Sequence, residues 1–336
     1  MADVVYAFGD PHGCLGLLNR LDNRLTVLSK HIPANDPLVI GIGDYNDRGP
    51  DTKGVYEKIM TESLGGMPLK CNPGNHDVYM VRAIKMFRNN TPGWENWLTY
   101  KEDALSTIKS YGIPVNSDMP PQGADARRVM KSFSDKIGDA TIDFIMGLPP
   151  IQFEGGVFFV HAGLNPSRAV NSQEFEDCIG GVKGFFTTHR NYGGPVCVGH
   201  TVQQTPYINK TRDVICIDTG AYEYGVLTTG IFSDGVLAQF IATCPEKGLD
   251  WVPVFIDDET MPDFYLSLTR MWFRDVAAAS KHPPIGVFSK NERYERFLKL
   301  TRIPNMVRVN TLPEAKKIQQ RGIKYRTMSI GTKGLQ

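Results

Sequence analysis

The chain has 336 residues, of which 41% are hydrophobic, enough for one large domain or two modest domains with a proper core. No apolar run approaches the roughly 18 residues that a membrane span needs, and the first residues lack the basic and apolar regions of a signal peptide. Six scattered cysteines without a CxxC pair argue against a disulfide framework. We therefore expect a soluble, cytoplasmic protein that does not associate with membranes.

The net charge of +1 conceals an uneven distribution along the chain. Residues 281–336 carry thirteen Lys and Arg against three Glu, so the preceding part of the chain is acidic. Such a basic segment could bind nucleic acid or another acidic partner, or it could dock against the acidic remainder of its own chain. Both interpretations stay open, with docking slightly favoured because basic and apolar residues alternate.

In the N-terminal part, apolar runs of strand length alternate with helix-like segments, which is the pattern of a layered α/β fold. Strands are predicted at 4–8, 38–42 and 68–71. Leucines spaced by three and four residues from Leu17 to Leu28 indicate a helix with one buried face, and a second helix is predicted over 78–87.

Residues 88–146 have a different pattern and are interpreted as a mainly helical insertion over the ends of the strands. Helices are predicted near 102–111 and 126–145. Trp94, Trp97 and Tyr100 could form a lid on a substrate, although three aromatics at this spacing more often form the packing face of a helix.

Strands return at 156–160, 195–198 and 214–217, and the runs within 226–241 are typical of an antiparallel hairpin. We therefore place a catalytic domain at residues 1–243. Residues 244–336 are predicted to form a C-terminal extension, an acidic linker followed by a small basic α/β module.

The turns that follow the predicted strands carry oxygen and nitrogen ligands, namely Asp10, His12, Asp44, Asn75, His161 and His200. Such a set suits two neighbouring divalent ions if Asp44 bridges them. The lack of thiolates favours open sites for Mn²⁺, with Fe or Zn²⁺ as alternatives, over a structural zinc site. Two dications beside two carboxylates would retain positive charge, bind a phosphate group and activate a bridging water as hydroxide.

Three further residues in these turns suit phosphoester hydrolysis. The guanidinium of Arg48 can bind phosphate oxygens, and His76 can protonate the leaving alcohol if a carboxylate orients its ring. Asp47 is the candidate carboxylate. Each residue alone also fits a structural role, but their occurrence together favours catalysis.

Five motifs occur in a characteristic order: Gly9-Asp10-Pro11-His12-Gly13, Gly43-Asp44-Tyr45-Asn46-Asp47-Arg48-Gly49, Gly74-Asn75-His76-Asp77, His161-Ala162-Gly163 and Gly199-His200-Thr201. They resemble the motif set of the PPP-type, calcineurin-like metallophosphoesterases, which include protein serine/threonine phosphatases and diadenosine tetraphosphatases. The resemblance spans roughly residues 4–241.

The resemblance implies a double β-sheet sandwich flanked by helices and a role for each motif residue. Asp10 and His12 would hold the first metal, Asp44 would bridge, and Asn75, His161 and His200 would hold the second. Arg48 and Asn75 would contact the phosphate, and His76 with Asp47 would form the general acid pair.

Two features depart from this pattern. Asp77 stands where the eukaryotic protein phosphatases carry Glu, which favours a bacterial or phage-like branch. The second phosphate-binding arginine of the family usually lies between the two late histidines, where Arg168 and Arg190 are both candidates.

The sequence therefore predicts a binuclear metallophosphoesterase that uses a metal-activated hydroxide to dephosphorylate phosphoserine and phosphothreonine in proteins. The alternative enzyme is a nucleotide hydrolase that cleaves dinucleoside polyphosphates. An alternative from another class is a catalytically silent protein that binds polyanions through its basic segment.

A rival chemistry comes from Cys14 and Arg20, which fit the C-x₅-R spacing of cysteine-dependent phosphatases. That mechanism needs a tight loop of backbone amides around the phosphate and a low-pKa thiolate. The residues after Cys14 instead begin the predicted amphipathic helix, so we expect the cysteine to have a packing role.

Overall fold

A computed structural model of the protein describes residues 2–32, 34–99, 103–116, 119–209, 211–257, 263–318 and 324–330. The first elements along the chain are β1 (Val4–Phe8), α1 (Leu15–Leu28), β2 (Pro37–Gly41), α2 (Thr52–Ile59), β3 (Ser63–Leu64), β4 (Met67–Cys71), α3 (Asn75–Arg88), α4 (Glu95–Thr99), α5 (Asp103–Ser110) and α6 (Gly123–Gly147).

The following elements are β5 (Ile151–Glu154), β6 (Val157–Val160), α7 (Phe175–Gly180), β7 (Val196–Val198), β8 (Tyr207–Ile208), β9 (Val214–Cys216), α8 (Ala221–Tyr224), β10 (Leu227–Ser233) and β11 (Val236–Thr243). The C-terminal elements are β12 (Trp251–Asp257), α9 (Asp263–Ala279), β13 (Ile285–Val287), α10 (Asn291–Thr301), β14 (Val307–Val309), α11 (Leu312–Ile318) and β15 (Lys324–Ile330).

Two sheets pack against each other in the predicted catalytic domain, which confirms the expected sandwich. One sheet has the strand order β11-β10-β1-β2-β4-β3, and the other has the order β5-β6-β7-β9-β8. Ala7 and Ile40 of the first sheet share an apolar cluster with Phe159 and Cys197 of the second. All five residues of β1 are buried, because this strand lies inside a sheet covered on both faces.

Strand direction positions the functional residues. β1, β2 and β4 are parallel to one another, and so are β6, β7 and β9. The carboxyl ends of parallel strands meet at one edge of a sheet, so the turns after these strands can converge. The helix predicted between the first two strands is α1, whose Leu17, Leu18, Leu21 and Leu25 are buried.

The region predicted to be an insertion contains the helices α4, α5 and α6. α6 is interrupted at Gly138, whose φ of 74° is outside the helical region. Trp94 packs edge-on against Phe87, and Trp97 stacks on Phe133 at a centroid distance of 5.3 Å. These two tryptophans therefore act in packing, while Tyr100 lies outside the described residues.

The C-terminal module is a parallel sheet with the strand order β14-β13-β12-β15 and three helices. It is joined closely to the preceding sheets, since the indole N–H of Trp272 donates to Thr228 at 2.8 Å and Arg24 pairs with Asp275 at 2.8 Å. One apolar cluster runs across the predicted domain boundary at residue 243, which itself stays a prediction. Among the described residues, no helix is both long and apolar enough to cross a membrane.

Arg326 of β15 belongs to the basic segment and contacts residues of the preceding part of the chain. Its Nη2 donates to the carbonyls of Gln203 and Thr219 at 2.9 and 3.1 Å, and its guanidinium lies 3.6 Å from the ring centroid of Tyr224. Burial lowers the pKa of Arg326 to about 10, and its Nε and Nη1 have no acceptor among the described residues. The contact with the Tyr224 ring therefore offsets part of the cost of burying a guanidinium that is only partly hydrogen-bonded.

This balance predicts different effects for two substitutions. Arg326→Ala is expected to destabilise the protein by about 2–5 kcal/mol because it leaves a cavity against Tyr224. Arg326→Met is expected to cost less than about 1.5 kcal/mol, because it fills the space and removes a partly unpaired buried charge. Urea unfolding of both variants measures this, and equal losses would show that the two hydrogen bonds outweigh the packing.

Candidate metal centre and active site

The five motif turns come together at the carboxyl ends of the strands. Asp10 follows β1, Asp44 follows β2, Asn75 begins α3 after β4, His161 follows β6 and His200 follows β7. The structure thus brings together turns from two different sheets.

Asp44 lies at the middle of this arrangement. Its Oδ2 is 3.6 Å from Nε2 of His12 and 3.4 Å from Nε2 of His161. Two groups have ligand atoms within 4.8 Å of one another, His12 with Asp44 and His76, and Asp44 with His161 and His200. A carboxylate that belongs to both groups has the position required of a bridge between two ions.

The second group is completed by Asn75. Its Oδ1 lies 3.1 Å from Nε2 of His161 and 2.9 Å from Nδ1 of His200. The other ring nitrogen of His161 faces the carbonyl of Ile42 at 3.0 Å, a contact that fixes the orientation of a ligating imidazole. These three side chains and Asp44 could hold one divalent ion.

In the first group, His12 is oriented by the backbone in the same way, whereas Asp10, the other predicted ligand of the first ion, is not a member of that group. Nδ1 of His12 faces the carbonyl of Asn46 at 2.8 Å, so its Nε2 is directed at Asp44. Asp10 accepts the backbone N–H of His200 through Oδ2 at 2.8 Å, whereas its buried Oδ1 has no hydrogen-bond partner among the described residues. A buried carboxylate oxygen without a partner is costly unless a cation binds it.

Two glycines leave room for these carboxylates. A Cβ at Gly199 would lie 2.0 Å from Oδ1 of Asp10, and one at Gly74 would lie 2.1 Å from Oδ1 of Asp44. Any other residue at these positions would displace a carboxylate from the site. The motif glycines are thus required by close approach.

The protonation states also suit metal binding. Burial lowers the pKa of both His12 and His200 to about 4, so both imidazoles are neutral, which is the form that ligates metal. Burial and the neighbouring Asp218 and Asp44 raise the pKa of Asp10, which shows that negative charge is concentrated here without sufficient compensation. The residues present therefore fit two divalent ions.

His76 and Asp47, which the sequence predicts to be the acid pair, are in contact. Nδ1 of His76 lies 2.7 Å from Oδ2 of Asp47, and Thr107 of the helical insertion donates to Oδ1 of Asp47 at 2.8 Å. Burial alone would lower the pKa of His76, but Asp44 and Asp47 raise it to about 9. The neighbouring carboxylates therefore favour the protonated imidazole, the form that can donate a proton through Nε2.

Arg48 lies beside this acid. Its Nη2 is 3.5 Å from Nε2 of His76, its Nε is 3.6 Å from a carboxylate oxygen of Asp103, and its guanidinium lies 4.4 Å from the ring centroid of Tyr222. A guanidinium held on two sides is well oriented to bind phosphate next to the proton donor.

The two candidates for a second phosphate-binding arginine have other contacts. Arg168 pairs with Glu174 and lies 3.8 Å from Asp177, and Arg190 donates to the carbonyl of Pro166. No contact among the described residues joins either arginine to the metal-binding groups. Their assignment to phosphate stays a prediction.

Five site residues other than glycine have left-handed backbone conformations, with φ of 40° at His12, 52° at Asp44, 67° at Asp47, 65° at Arg48 and 62° at His200. Residues other than glycine rarely adopt this left-handed backbone region, and each instance costs of order 1–3 kcal/mol. Such strain persists only where the surrounding structure enforces it. The strained turns direct the side chains toward the site.

The sequence did not identify several residues that support the site. Asp77 accepts the backbone N–H groups of Asp44, Tyr45 and Gly74 at 2.8–3.0 Å, and the hydroxyl of Tyr56 at 2.7 Å. It therefore ties two catalytic turns together, whereas the sequence indicated only a departure from the family pattern.

Asp218 and Tyr222 were missed for different reasons. Asp218 is buried beside Asp10, and burial raises its pKa to about 6. Its Asp-Thr-Gly turn after a predicted strand was a visible signal that could have been used. Tyr222 has no such signal, because its contacts with Arg48 and His12 depend on the folded position of α8.

The cysteine mechanism does not fit the structure. α1 begins at Leu15, so the residues between Cys14 and Arg20 form a helix and not a phosphate-binding loop. Burial raises the pKa of Cys14 to about 12, and Arg20 donates to the carbonyl of Cys244 at 2.7 Å. A partly buried thiol with this pKa is not a nucleophile at neutral pH.

Cys14→Ser is therefore expected to leave kcat/KM within about twofold of the original value, since the thiolate is not needed. A chelator should abolish hydrolysis in both proteins. The steady-state rate on p-nitrophenyl phosphate measures both effects, and inactive Cys14→Ser protein that remains folded would restore the cysteine mechanism.

The sequence model of the calcineurin-like phosphoesterase family matches residues 4–203. The chain belongs to the calcineurin-like phosphoesterase family. It is thus a phosphoester hydrolase of a family that uses divalent metals, and the candidate metal-binding groups described above lie within the matched residues.

Several solved structures are similar to the chain at low sequence identity. A candidate diadenosine tetraphosphatase is 18% identical, with a TM-score of 0.48, and the match covers 73% of this chain and 95% of that one. A metallophosphoesterase from Sphaerobacter thermophilus is 16% identical, with a TM-score of 0.41 and coverage of 73% and 90%. A cold-active protein-tyrosine phosphatase from a Shewanella species is 15% identical, with a TM-score of 0.42 and coverage of 72% and 81%. Comparison with curated protein sequences finds no match.

Proposed function

We propose that this family member is a binuclear phosphomonoesterase that removes phosphate from phosphorylated serine and threonine side chains of proteins. The observation that carries the proposal is the position of His76, whose ring contacts Asp47 and lies beside Arg48 at the edge of two candidate metal-binding groups. In this proposal the proton donor and the phosphate-binding cation lie on the same side of the site.

The residues have distinct roles in this proposal. Asp10 and His12 would hold one ion, Asn75, His161 and His200 would hold the other, and Asp44 would bridge them. When bound, such ions neutralise phosphate charge and acidify a water for attack on phosphorus. The proposed ion is Mn²⁺, with Fe or Zn²⁺ as alternatives.

The chain's own residues complete the reaction. Arg48 would bind the phosphoryl oxygens and orient the group for attack opposite the leaving oxygen. His76 would give its Nε2 proton to the leaving alcohol while Asp47 stabilises the ring. Thr107 keeps Asp47 in place, which gives the helical insertion a direct part in positioning the acid.

The dinucleoside polyphosphate alternative is a weaker proposal. Such a leaving group carries further phosphates, which need cations beside His76. Arg82 is near that side, but it forms a bidentate ion pair with Glu176. A nucleic acid or acidic partner at the basic C-terminal segment stays a separate prediction.

The test is hydrolysis of phosphoseryl and phosphothreonyl peptides and of dinucleoside polyphosphates by chelated protein and by protein supplied with Mn²⁺. We expect metal-dependent release of phosphate, with the peptides having the higher kcat/KM. Lack of turnover on every substrate would favour the catalytically silent binding protein, and a higher kcat/KM on dinucleoside polyphosphates would favour the alternative enzyme.

A further inference from the structure

The short helix α8 brings an aromatic ring to the active site. The ring centroid of Tyr222 lies 4.4 Å from the guanidinium carbon of Arg48 and 5.3 Å from the ring centroid of His12. The helix has four residues and is flanked by Gly220 and Gly225, whose φ values of 71° and 72° are left-handed. Because a single helical turn is not stable by itself, contacts from other elements must fix the position of this ring.

The C-terminal module binds the end of α8. The indole N–H of Trp251, in β12, donates to the carbonyl oxygen of Tyr224 at 2.9 Å. Tyr224 is the last residue of α8, and the last carbonyls of a helix have no partner within the helix. Trp251 is itself buried, so this donor has a fixed position. The module therefore determines where α8 ends.

Arg326, in the neighbouring strand β15, binds the residues that precede α8. Its Nη2 donates to the carbonyl oxygen of Thr219 at 3.1 Å and to that of Gln203 at 2.9 Å. The backbone N–H of Gln203 donates in turn to the carbonyl oxygen of Asp218 at 2.9 Å. One buried guanidinium thus connects the segment that follows His200 to the turn from which α8 begins.

Trp251 and Arg326 lie on the same face of the module's sheet. Arg326 is paired with Pro253 in the parallel ladder between β12 and β15, and Trp251 precedes Pro253 by two residues. Side chains two residues apart on a strand point to the same face. The Arg326 guanidinium accordingly lies 5.9 Å from the ring centroid of Trp251 and 3.6 Å from that of Tyr224. The register of this ladder therefore places both donors against α8.

Helix α9 of the module supports the same turn. Oγ1 of Thr219 lies 2.7 Å from Oγ1 of Thr228, and the indole N–H of Trp272 donates to that Thr228 oxygen at 2.8 Å. All three side chains are buried. Three elements of the module, β12, α9 and β15, therefore meet at the residues that flank α8.

We propose that Trp251 and Arg326 are positioning residues that support phosphate binding through α8. By fixing this helix, they keep the ring of Tyr222 against the guanidinium of Arg48. The inference rests on the role of Arg48 in phosphate binding that belongs to the proposed function. A guanidinium held by a ring and by the carboxylate of Asp103 loses little rotamer freedom when phosphate binds. The C-terminal module thus contributes to substrate affinity without touching the substrate.

Binding of inorganic phosphate tests this proposal without depending on turnover. In calorimetric titration of the Mn²⁺-loaded protein, Tyr222→Leu is expected to raise the Kd for phosphate about three- to tenfold, which corresponds to ordering one long side chain on binding. Trp251→Phe keeps a ring but removes the donor to Tyr224, and it is expected to raise the Kd about two- to fivefold. An unchanged Kd in both variants would overturn the proposal.

A double variant shows whether Trp251 acts through Tyr222. In the Tyr222→Leu background, Trp251→Phe should change the Kd less than about 1.5-fold, because the ring that it positions is already absent. An equal increase in both backgrounds would overturn the proposal, since Trp251 would then act by another route. If Trp251→Phe does not fold, Arg326→Met makes the same test from the other end of α8.

Tyr294→Phe is the matched control within the module. It removes one hydrogen bond to a backbone carbonyl, that of Met306, and Tyr294 has no contact with α8 among the described residues. This variant should leave the Kd for phosphate unchanged. An increase as large as that of Trp251→Phe would show that any weakening of the module lowers phosphate affinity, and would overturn the positioning role.

Kinetics on a phosphoseryl peptide separate this inference from the proposed function. Trp251→Phe should raise KM about as much as the Kd for phosphate and lower kcat less than about twofold, because the acid pair keeps its contacts. A lower kcat with unchanged KM would refute the positioning role. Absence of all turnover together with the expected changes in phosphate Kd would refute the proposed function alone. Turnover with a phosphate Kd that neither Tyr222→Leu nor Trp251→Phe changes would refute this inference alone.

Discussion

Replacement of His76 by Asn is expected to lower kcat on a phosphoseryl peptide about 10²- to 10⁴-fold, the usual contribution of a general acid. The physical reason is that the serine alkoxide leaves poorly without a proton, and His76 is the group whose Nε2 lies beside Arg48. The loss on p-nitrophenyl phosphate should be much smaller, because p-nitrophenolate leaves without protonation. Steady-state rates on both substrates measure the difference.

Asp47→Asn should show the same substrate dependence with a smaller loss, because Asp44 and Asp47 both raise the pKa of His76 and the substitution removes only the Asp47 charge. His189→Asn is the matched control, since His189 is an exposed histidine paired with Asp213 away from the motif turns. Equal losses on both substrates would assign His76 to metal binding or to structure instead of proton transfer. The proximity of His76 to His12 and Asp44 makes this a necessary check.

Asp77→Ala is expected to have the largest effect on folding, a loss of about 3–5 kcal/mol in the free energy of unfolding. The substitution leaves the buried N–H groups of Asp44, Tyr45 and Gly74, and the hydroxyl of Tyr56, without an acceptor. Burial and nearby Asp44 raise the pKa of Asp77 to about 6, so these four donors are what stabilise its charged form.

Urea unfolding of chelated protein measures this loss without a contribution from metal. Asp139→Ala is the control, because Asp139 is a surface carboxylate with 77% side-chain exposure and should change stability by less than about 0.5 kcal/mol. A similar small change for Asp77→Ala would mean that water replaces the missing acceptor. In that event Asp77 would not be what joins the two catalytic turns.

The residues around the metal-binding groups could be predicted because each follows a strand. Asp10, Asp44 and His161 occur within three residues of a buried strand end, and parallel strands bring such ends to one edge. Local sequence pattern and fold topology therefore give the same answer. Asn75 followed from the same pattern, although the helix that it begins starts three residues earlier than predicted.

The residues that orient this constellation could not be predicted in the same way. Thr107 reaches Asp47 across sixty residues of sequence, and Tyr222 reaches Arg48 from a four-residue helix. Such contacts depend on how the insertion and α8 pack against the sheets, and the hydrophobic periodicity of the sequence does not predict this packing. Trp97 is a further example, since its spacing indicated a packing face but not that this residue also lines a cavity beside His76.

At the left-handed positions of the motif turns, a substitution that raises stability is expected to lower turnover. Glycine at Asp47 or Arg48 would relieve backbone strain, yet it would remove the support of the acid or the phosphate-binding cation. Selection for heat resistance alone would therefore favour inactive variants with glycine at these positions. Selection for activity would retain the functional side chains despite their backbone strain. Engineering of this enzyme for robustness should keep the motif turns unchanged and seek gains in the surrounding helices.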